Sequence, residues 1–237
     1  GSTDGTRDYI MRMTAENSFI RSPKKEGPKG APASRNLAID MADGELITGM
    51  DDDDIFKPNR IEELKNNYTP ECSFVFSRKL TTWDYLANAR ISLTRKVSYN
   101  DALNFNIIGN QVLTETKKLR AIGGFDTSLP AAQDYDTWLR LIQNYGEAKL
   151  VCHDLQVLDK SHGFNRISDA DGKKLYAYNV IFEKHRINCS RKNQIAWDIR
   201  RKLLNGNPTH PSDLMRALMS TNIRYLPELI RNISPRK

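Results

Sequence analysis

The nine residues from Leu46 to Asp54, LITGMDDDD, constrain the fold more than any other stretch. The short apolar run from Leu46 to Met50 reads as a buried strand. Four carboxylates, Asp51 to Asp54, follow at once. Unpaired buried charge is costly, so these acids cannot continue into the interior. The strand must end there, with its acids at the mouth of a crevice on the carboxyl edge of an α/β sheet, where such sheets bind ligands. Acids gathered at such a mouth suit a hard divalent cation, and through it a phosphate-bearing ligand. Taken alone, an acidic run is more often a solvated loop or a helix start, so the surroundings must decide.

The chain of 237 residues has room for one large α/β domain with an appendage. No run of about 18 apolar residues predicts a membrane-spanning helix, and no basic-then-apolar leader opens the chain. Cys72, Cys152 and Cys189 are odd in number and far apart, which argues against a disulfide framework and for a reducing, cytoplasmic setting. The net charge of +7 is uneven: residues 186–237 carry 11 Lys/Arg against three acids, or +8, which leaves the body near −1. A basic appendage on a near-neutral body weakens a nucleic-acid reading. The two units expected are therefore 1–185, the α/β body, and 186–237, a basic helical extension. Arg200, Arg201 and Lys202 form a basic cluster in that extension, and Leu214, Met215 and Leu218 an apolar stripe. Docking on the body and peripheral contact with anionic lipid on the inner face of a membrane are both open.

In chain order, Gly1 to Thr6 form a turn, with Thr6 able to cap a helix that runs to about Asn17. A Gly/Pro/Lys loop, Lys24 to Pro32, leads into Ser34–Arg35–Asn36 and a helix through Met41. Arg35, at a loop-to-helix junction, has the fork geometry to meet a diphosphate, although a surface Arg is an equal reading. A helix over 59–67 and a buried strand over 72–77 follow. Residues 79–100 show no clear period. A turn at Gly109–Asn110 precedes a further strand, and a short helix ends at Gly123–Gly124.

Residues 125–145, FDTSLPAAQDYDTWLRLIQNY, are the second informative stretch. Tyr135, Trp138, Leu139, Leu141 and Ile142 supply the core face of a helix. Gln133, Asp134 and Asp136 then fall in its first turn, where the helix dipole favours carboxylates. An Asp held there and facing a cleft can take a proton from a sugar hydroxyl. Equally, such an Asp can serve only as a helix-end acid. Strands over 149–153 and 155–158, a polar loop containing His162 and a helix from Asp169 to His185 complete the body. A neutral imidazole in that loop could complete a metal site.

The order GSTDGT, SRN, MDDDD with a Pro four residues beyond, IGGFD, QDYDTWLRL and SHGFNRIS resembles the bacterial glycosyltransferases of family two over about residues 1–168. The non-processive enzymes of O-antigen, capsule or other surface polysaccharide are the most similar. The resemblance implies the GT-A fold, a Rossmann-like, mostly parallel central sheet flanked by helices. It implies an inverting hexosyltransferase that takes a nucleotide sugar, a UDP-hexose by preference, to a saccharide or lipid-linked saccharide acceptor. Asp51 and Asp53 match the D-x-D motif, the first on the ribose side and the second holding Mn²⁺ or Mg²⁺. Arg35, Asn36 and Asp4 fall on the nucleotide-sugar side. Gln133–Asp134 matches the family's Glu-Asp, which makes Asp134 the general base, and His162 matches a position that in some members meets the metal. Family members also carry two earlier strands, and this chain opens where the second of these ends.

Two rival readings remain: a non-catalytic module that binds nucleotide sugar or polysaccharide in the same crevice, and a nucleic-acid binder acting through the tail. The second lacks interleaved aromatic and basic residues and is disfavoured.

Overall fold

In the computed structural model, the described residues are 5–23, 30–51, 54–79, 89–158, 172–220 and 225–233. Asp4, Asp52, Asp53 and His162 lie outside them.

The central strand shows how the sequence builds the sheet. Strand β3 (Val75–Ser77) follows Cys72, Ser73 and Phe74, and Phe74, Val75 and Phe76 are all fully buried. Successive side chains of a strand point to opposite faces. Phe74 and Phe76 enter the main core, while Val75 enters a second cluster with Leu64 of α3 (Arg60–Asn67). Both faces are covered, so the run is apolar throughout rather than alternating.

Four further strands flank it: β1 (Leu46–Thr48), β4 (Lys96–Val97), β5 (Leu113–Glu115) and β6 (Ala148–Val151). The sheet order is β1-β5-β3-β6-β4. The pairing of β3 with β6 is parallel, with Val75 opposite Lys149. The other three pairings are antiparallel, so the described sheet is mixed, with its parallel pair next to the centre. The physical reason lies at the crevice. The segment that leads into β5 carries Asn110, whose side chain binds Asp51 just beyond β1. Strand β5 thus starts at the edge where β1 ends, and the two must run in opposite directions. Strand β1 lies at the edge of this sheet and is half-buried, not buried as its apolar run suggests. A separate antiparallel ribbon joins β2 (Asp54–Phe56) to β7 (Gln156–Leu158).

The helices pack around this frame. Helices α1 (Thr6–Glu16) and α2 (Ala31–Met41) precede β1. The N-cap of α1 is Gly5, in the left-handed region, and Thr6 is the first helical residue rather than the cap. The described part of the stretch 79–100, where no period was visible, enters α4 (Ala89–Thr94), β4 and α5 (Tyr99–Asn104). Helix α6 (Thr116–Ala121) ends at Gly123–Gly124 as expected. Helix α7 (Gln133–Tyr145) buries Tyr135, Trp138, Leu139 and Ile142, an i, i+3, i+4, i+7 stripe, and stops at Gly146.

The basic extension docks on the body. Its first helix, α9 (Arg191–Leu204), follows α8 (Lys173–His185) and places Trp197 in the main core. Ser190 and Asn193 form a capping box, and the Asn193 amide also donates to Asn100 O and Asn104 Oδ1. Helices α10 (Pro211–Met219) and α11 (Leu226–Arg231) close a small cluster around Ala217, Tyr225 and Leu229. The cluster Arg200–Arg201–Lys202 is engaged by the chain's own side chains. Arg200 is buried, Arg201 pairs with Asp198 at 2.6 Å, and Lys202 pairs with Asp213. Among the described residues no helix is long and apolar enough to cross a membrane.

Candidate functional site

The carboxyl ends of β1, β3 and β6 share one edge of the sheet. At this edge the chain leaves β1 through Gly49. A Cβ there would stand 2.9 Å from Gln111 Oε1, so only a glycine passes without moving that side chain. Asp51 and Asp54 follow, both directed at one amide. Asn110 Nδ2 donates to Asp51 Oδ2 at 2.7 Å and to Asp54 Oδ2 at 3.0 Å. Bringing two carboxylates to one nitrogen costs like-charge repulsion. Arg35 offsets part of it, with Nη2 2.7 Å from Asp51 Oδ1. Arg35 thus lies at the acidic mouth, with its guanidinium also over the Phe125 ring at 5.4 Å.

Asn36 is turned the other way. Its Nδ2 donates to Phe125 O at 2.8 Å, and its Oδ1 accepts from Phe125 N at 2.7 Å. Both ends of the amide are committed to the IGGF turn. The turn needs glycine at 124, where φ is +65° and a Cβ would overlap Asn36 Oδ1.

Asp134 lies in the first turn of α7, one turn before Trp138. Trp138 Nε1 donates to Gly109 O at 2.9 Å, next to the Asn110 that holds Asp51 and Asp54. The Trp138 ring meets Phe125 edge-on at 5.8 Å, and Phe125 carries Arg35. Burial raises the pKa of Asp134, the backbone hydrogen bond from Tyr135 and the positive charge of Arg35 lower it, and the Asp51 carboxylate raises it. The helix enters this turn through Ala132 at φ +54°, a left-handed conformation that a side chain rarely adopts and that stores strain beside the site.

Asp136, two residues on, has a different setting. It is fully buried, with Arg140 Nε at 2.8 Å, Lys184 Nζ at 3.2 Å and His185 Nε2 at 3.8 Å. Burial alone would raise its pKa, but His185, Arg140 and Lys184 outweigh it and hold the carboxyl at about 2. Arg140 extends the network to the IGGF turn, donating to Ile122 O and Gly124 O at 2.7 Å each.

The structure therefore brings Asp51 and Arg35 together in one ion pair, commits Asn36 to the IGGF turn, and sets Asp134 in the first turn of α7. Sequence reasoning missed Asn110, Trp138 as its anchor, and Asp54 as its second partner. The only local signal for Asn110 was a Gly-Asn turn, which is common in loops. Among the described residues no group of three or more His, Cys, Asp or Glu is placed to hold a metal ion. Asp51 and Asp54 nonetheless offer hard oxygen donors on either side of Asp53.

A mixed sheet flanked by helices, with acids and an Arg at the carboxyl edge of its parallel strands, has the GT-A architecture of glycosyltransferases. The crystal structure of TarS from S. aureus has this fold, with a TM-score of 0.53 over 92% of this chain and 36% of that one, at 12% identity. The sequence profile described as glycosyl transferase family 2 matches residues 1–122. WcaA of Escherichia coli, named for colanic acid biosynthesis, is 38% identical over 66% of this chain and 58% of its own length. TuaG of Bacillus subtilis, named for teichuronic acid biosynthesis, is 31% identical over 60% and 57%. WfgD of E. coli, named as a UDP-Glc:α-D-GlcNAc-diphosphoundecaprenol β-1,3-glucosyltransferase, is 27% identical over 64% and 58%. The chain belongs to glycosyl transferase family 2, and it spans a little over half the length of these relatives.

Proposed function

We propose that this chain forms the catalytic part of an inverting glycosyltransferase that moves a hexose from a nucleotide sugar to a saccharide or lipid-linked saccharide in bacterial surface polysaccharide synthesis. The observation that carries the reading is the Arg35–Asp51 ion pair of 2.7 Å at the carboxyl edge of the sheet, in a chain of glycosyl transferase family 2. A UDP-hexose donor and a diphosphate-linked lipid acceptor are favoured by the name of WfgD.

In this reading Asp134 takes the proton from the acceptor hydroxyl as the hydroxyl oxygen attacks the anomeric carbon. The bond to the diphosphate breaks and its electron pair stays on the departing nucleotide. Desolvation suits Asp134 to the task, because a carboxylate with a raised pKa is a stronger base. Asp51 contacts the ribose side of the donor. Arg35 can turn from Asp51 to the diphosphate, where its fork matches two phosphate oxygens. Asn36 acts through the IGGF turn, which it holds by both ends of its amide.

A divalent cation, Mn²⁺ or Mg²⁺, would neutralise charge developing on the diphosphate. Asp53 would hold it, with Asp51 and Asp54 alongside. Asp4 and His162 belong to the same proposal on family grounds, as a nucleotide-side residue and a metal-side residue. Peripheral contact with the inner face of a membrane belongs to it as well. The apolar residues Met215, Leu218 and Met219 are exposed on α10 and available for it.

The test is a donor screen on the full-length protein, read as release of nucleoside diphosphate with and without Mn²⁺. Turnover on one UDP-hexose, lost in Asp134→Asn and lost with EDTA, is the expected result. Calorimetric binding of UDP with no turnover on any donor and acceptor pair would instead mark a module that only binds.

A further inference from the structure

The first residue of α3, Arg60, is a cation sealed at the carboxyl edge of the sheet, and the reaction proposed above gives it no part. It is 0% exposed, and Nε and Nη2 of its guanidinium have no hydrogen-bond partner. Its Nη1 donates to Ser77 Oγ at the end of β3, and the guanidinium carbon stands 4.4 Å from the ring centre of Phe56 in β2. The two partnerless atoms belong together. In a guanidinium the Nε–H and one Nη2–H point the same way, and they form the edge that matches two oxygens of a carboxylate or a phosphoryl group. Burying a charge with that edge unpaired is costly, and an apolar side chain would fill the place at lower cost.

The location of Arg60 explains the choice. Asp54 and Phe56 lie on one face of β2, and Gln156 of β7 stands opposite Phe56. This face meets the acid pair: Asn110 holds Asp54 at 3.0 Å, and Gln156 Nε2 donates to Asn110 Oδ1 at 3.4 Å. The same Asn110 holds Asp51, which pairs with Arg35. Arg35 thus serves one carboxylate of the pair, and Arg60 underlies the ribbon that carries the other. Asp54 is bound by Asn110 and leaves the Arg60 edge to another anion. Phe56 and Ser77, which touch the guanidinium, are both half-buried, so solvent is one side chain away.

We propose that the Nε/Nη2 edge of Arg60 is an anion subsite of the crevice, which takes two oxygens of a substrate phosphoryl group once Phe56 turns aside. The subsite rests on the transferase reading for the source of that group, which is the diphosphate of the nucleotide sugar or of a lipid-linked acceptor. Its chemistry does not depend on that reading, because any diphosphate that reaches the ribbon meets the same edge.

The experiment follows the Nε–H resonance of Arg60 in ¹⁵N–¹H spectra of the full-length protein, assigned by its absence in Arg60→Lys. Inorganic pyrophosphate, UDP and farnesyl diphosphate are titrated in turn, with Mg²⁺ present to offset the acids. A saturable shift with pyrophosphate is expected. Whichever of the other two reproduces it names the source: UDP the donor, farnesyl diphosphate the acceptor. Arg60→Lys, which keeps a charge without the edge, should weaken binding of that same ligand about 10- to 100-fold in calorimetry. Arg60→Met should weaken it as well, and should keep or raise the melting temperature of the unliganded protein, since it removes an unpaired buried charge. A resonance that none of the three ligands moves overturns the proposal and leaves a trapped water as the partner of the edge. Unchanged affinities in folded Arg60→Lys and Arg60→Met overturn it too. If neither variant folds, the wild-type titration decides alone, with the resonance assigned through Ser77→Ala. Failure of every donor to turn over, with the pyrophosphate shift intact, would remove the transferase reading and keep the subsite.

Discussion

Asp134 and Asp136 stand two residues apart in the first turn of one helix, yet α7 sends them into opposite worlds. Asp134 is half-buried, and desolvation raises its pKa against a backbone hydrogen bond from Tyr135 and the pull of Arg35. Asp136 faces the interior, fully buried, and three basic side chains hold its carboxyl at about 2. Burial penalises both carboxylates; what differs is whether partners compensate. A paired carboxylate stabilises the fold, and an under-paired one is kept at a cost, which is how functional sites are built.

The largest effect that would sharpen this contrast is chemical. Replacing Asp134 by Asn should lower kcat by about 10²–10⁴, the usual contribution of a general base. The same change should leave the melting temperature unaltered or raise it. Its folded pKa is raised, so the folded state pays for the ionised form as pH climbs through that value, and Asn removes the cost. A variant that loses both activity and stability would show that Asp134 belongs with Asp136 as a structural acid. The rate profile gives a second check. Its acid limb should lie above the ordinary carboxylate range, because Asp134 must be ionised to act.

Asp136→Asn should do the opposite and cost about 2–3 kcal/mol of stability, the worth of a carboxyl pKa lowered by some two units. The sign follows from the depressed folded value. The contribution is complete above the unfolded carboxyl pKa of about 4 and disappears as pH falls towards about 2. Acid unfolding monitored by circular dichroism should therefore lose part of its dependence on pH over that window in the variant. An unchanged acid transition would mean that Arg140, Lys184 and His185 do not stabilise the charged form.

How far this contrast could be read in advance follows from where its causes lie. The helix itself was legible: Tyr135, Trp138, Leu139 and Ile142 recur at helical spacing, and Gly146 stops it. So were β3, whose run is apolar on both faces, and α6, closed by Gly123–Gly124. Local periodicity and turn chemistry specify these elements, and they need no knowledge of the rest of the chain. Which acid faced which way was not legible from composition, because it depends on partners 48 and 49 residues on, Lys184 and His185. The family resemblance, not the spacing, singled out Asp134. Asn110 and Arg200 escaped for the same reason. An Asn in a turn and an Arg in a basic run look solvated until distant strands and helices surround them. The direction of β5 was hidden too, since strand orientation is decided by the edge at which a long connection returns.

Gly124 joins the two sides of α7, and substituting it should disturb both. Its carbonyl accepts from Arg140, which holds Asp136, and its neighbour Phe125 is held by Asn36 beside the crevice. Alanine there meets a left-handed backbone, at about 1–2 kcal/mol, and displaces the Asn36 amide as well. Gly124→Ala should lower both the melting temperature and the donor affinity. A loss confined to one of the two would mean that the turn does not couple them.

The smallest predicted effect is the most local. Asn110 holds Asp51 and Asp54 with one nitrogen and does not appear among the partners of Asp136. Removing its amide in Asn110→Ala frees two like-charged carboxylates to separate and take water. Loss of hydrogen bonds to charged groups is worth about 1.5–3 kcal/mol where water cannot replace them. The mouth of a crevice is wetter, so about 1 kcal/mol on donor binding is expected, roughly a fivefold rise in KM. Acid unfolding over the Asp136 window should be unchanged. That pairing of results would assign Asn110 to the crevice alone. A shifted acid transition would instead mean that Trp138, through Gly109, carries the disturbance across the helix and that the two faces of α7 are not independent.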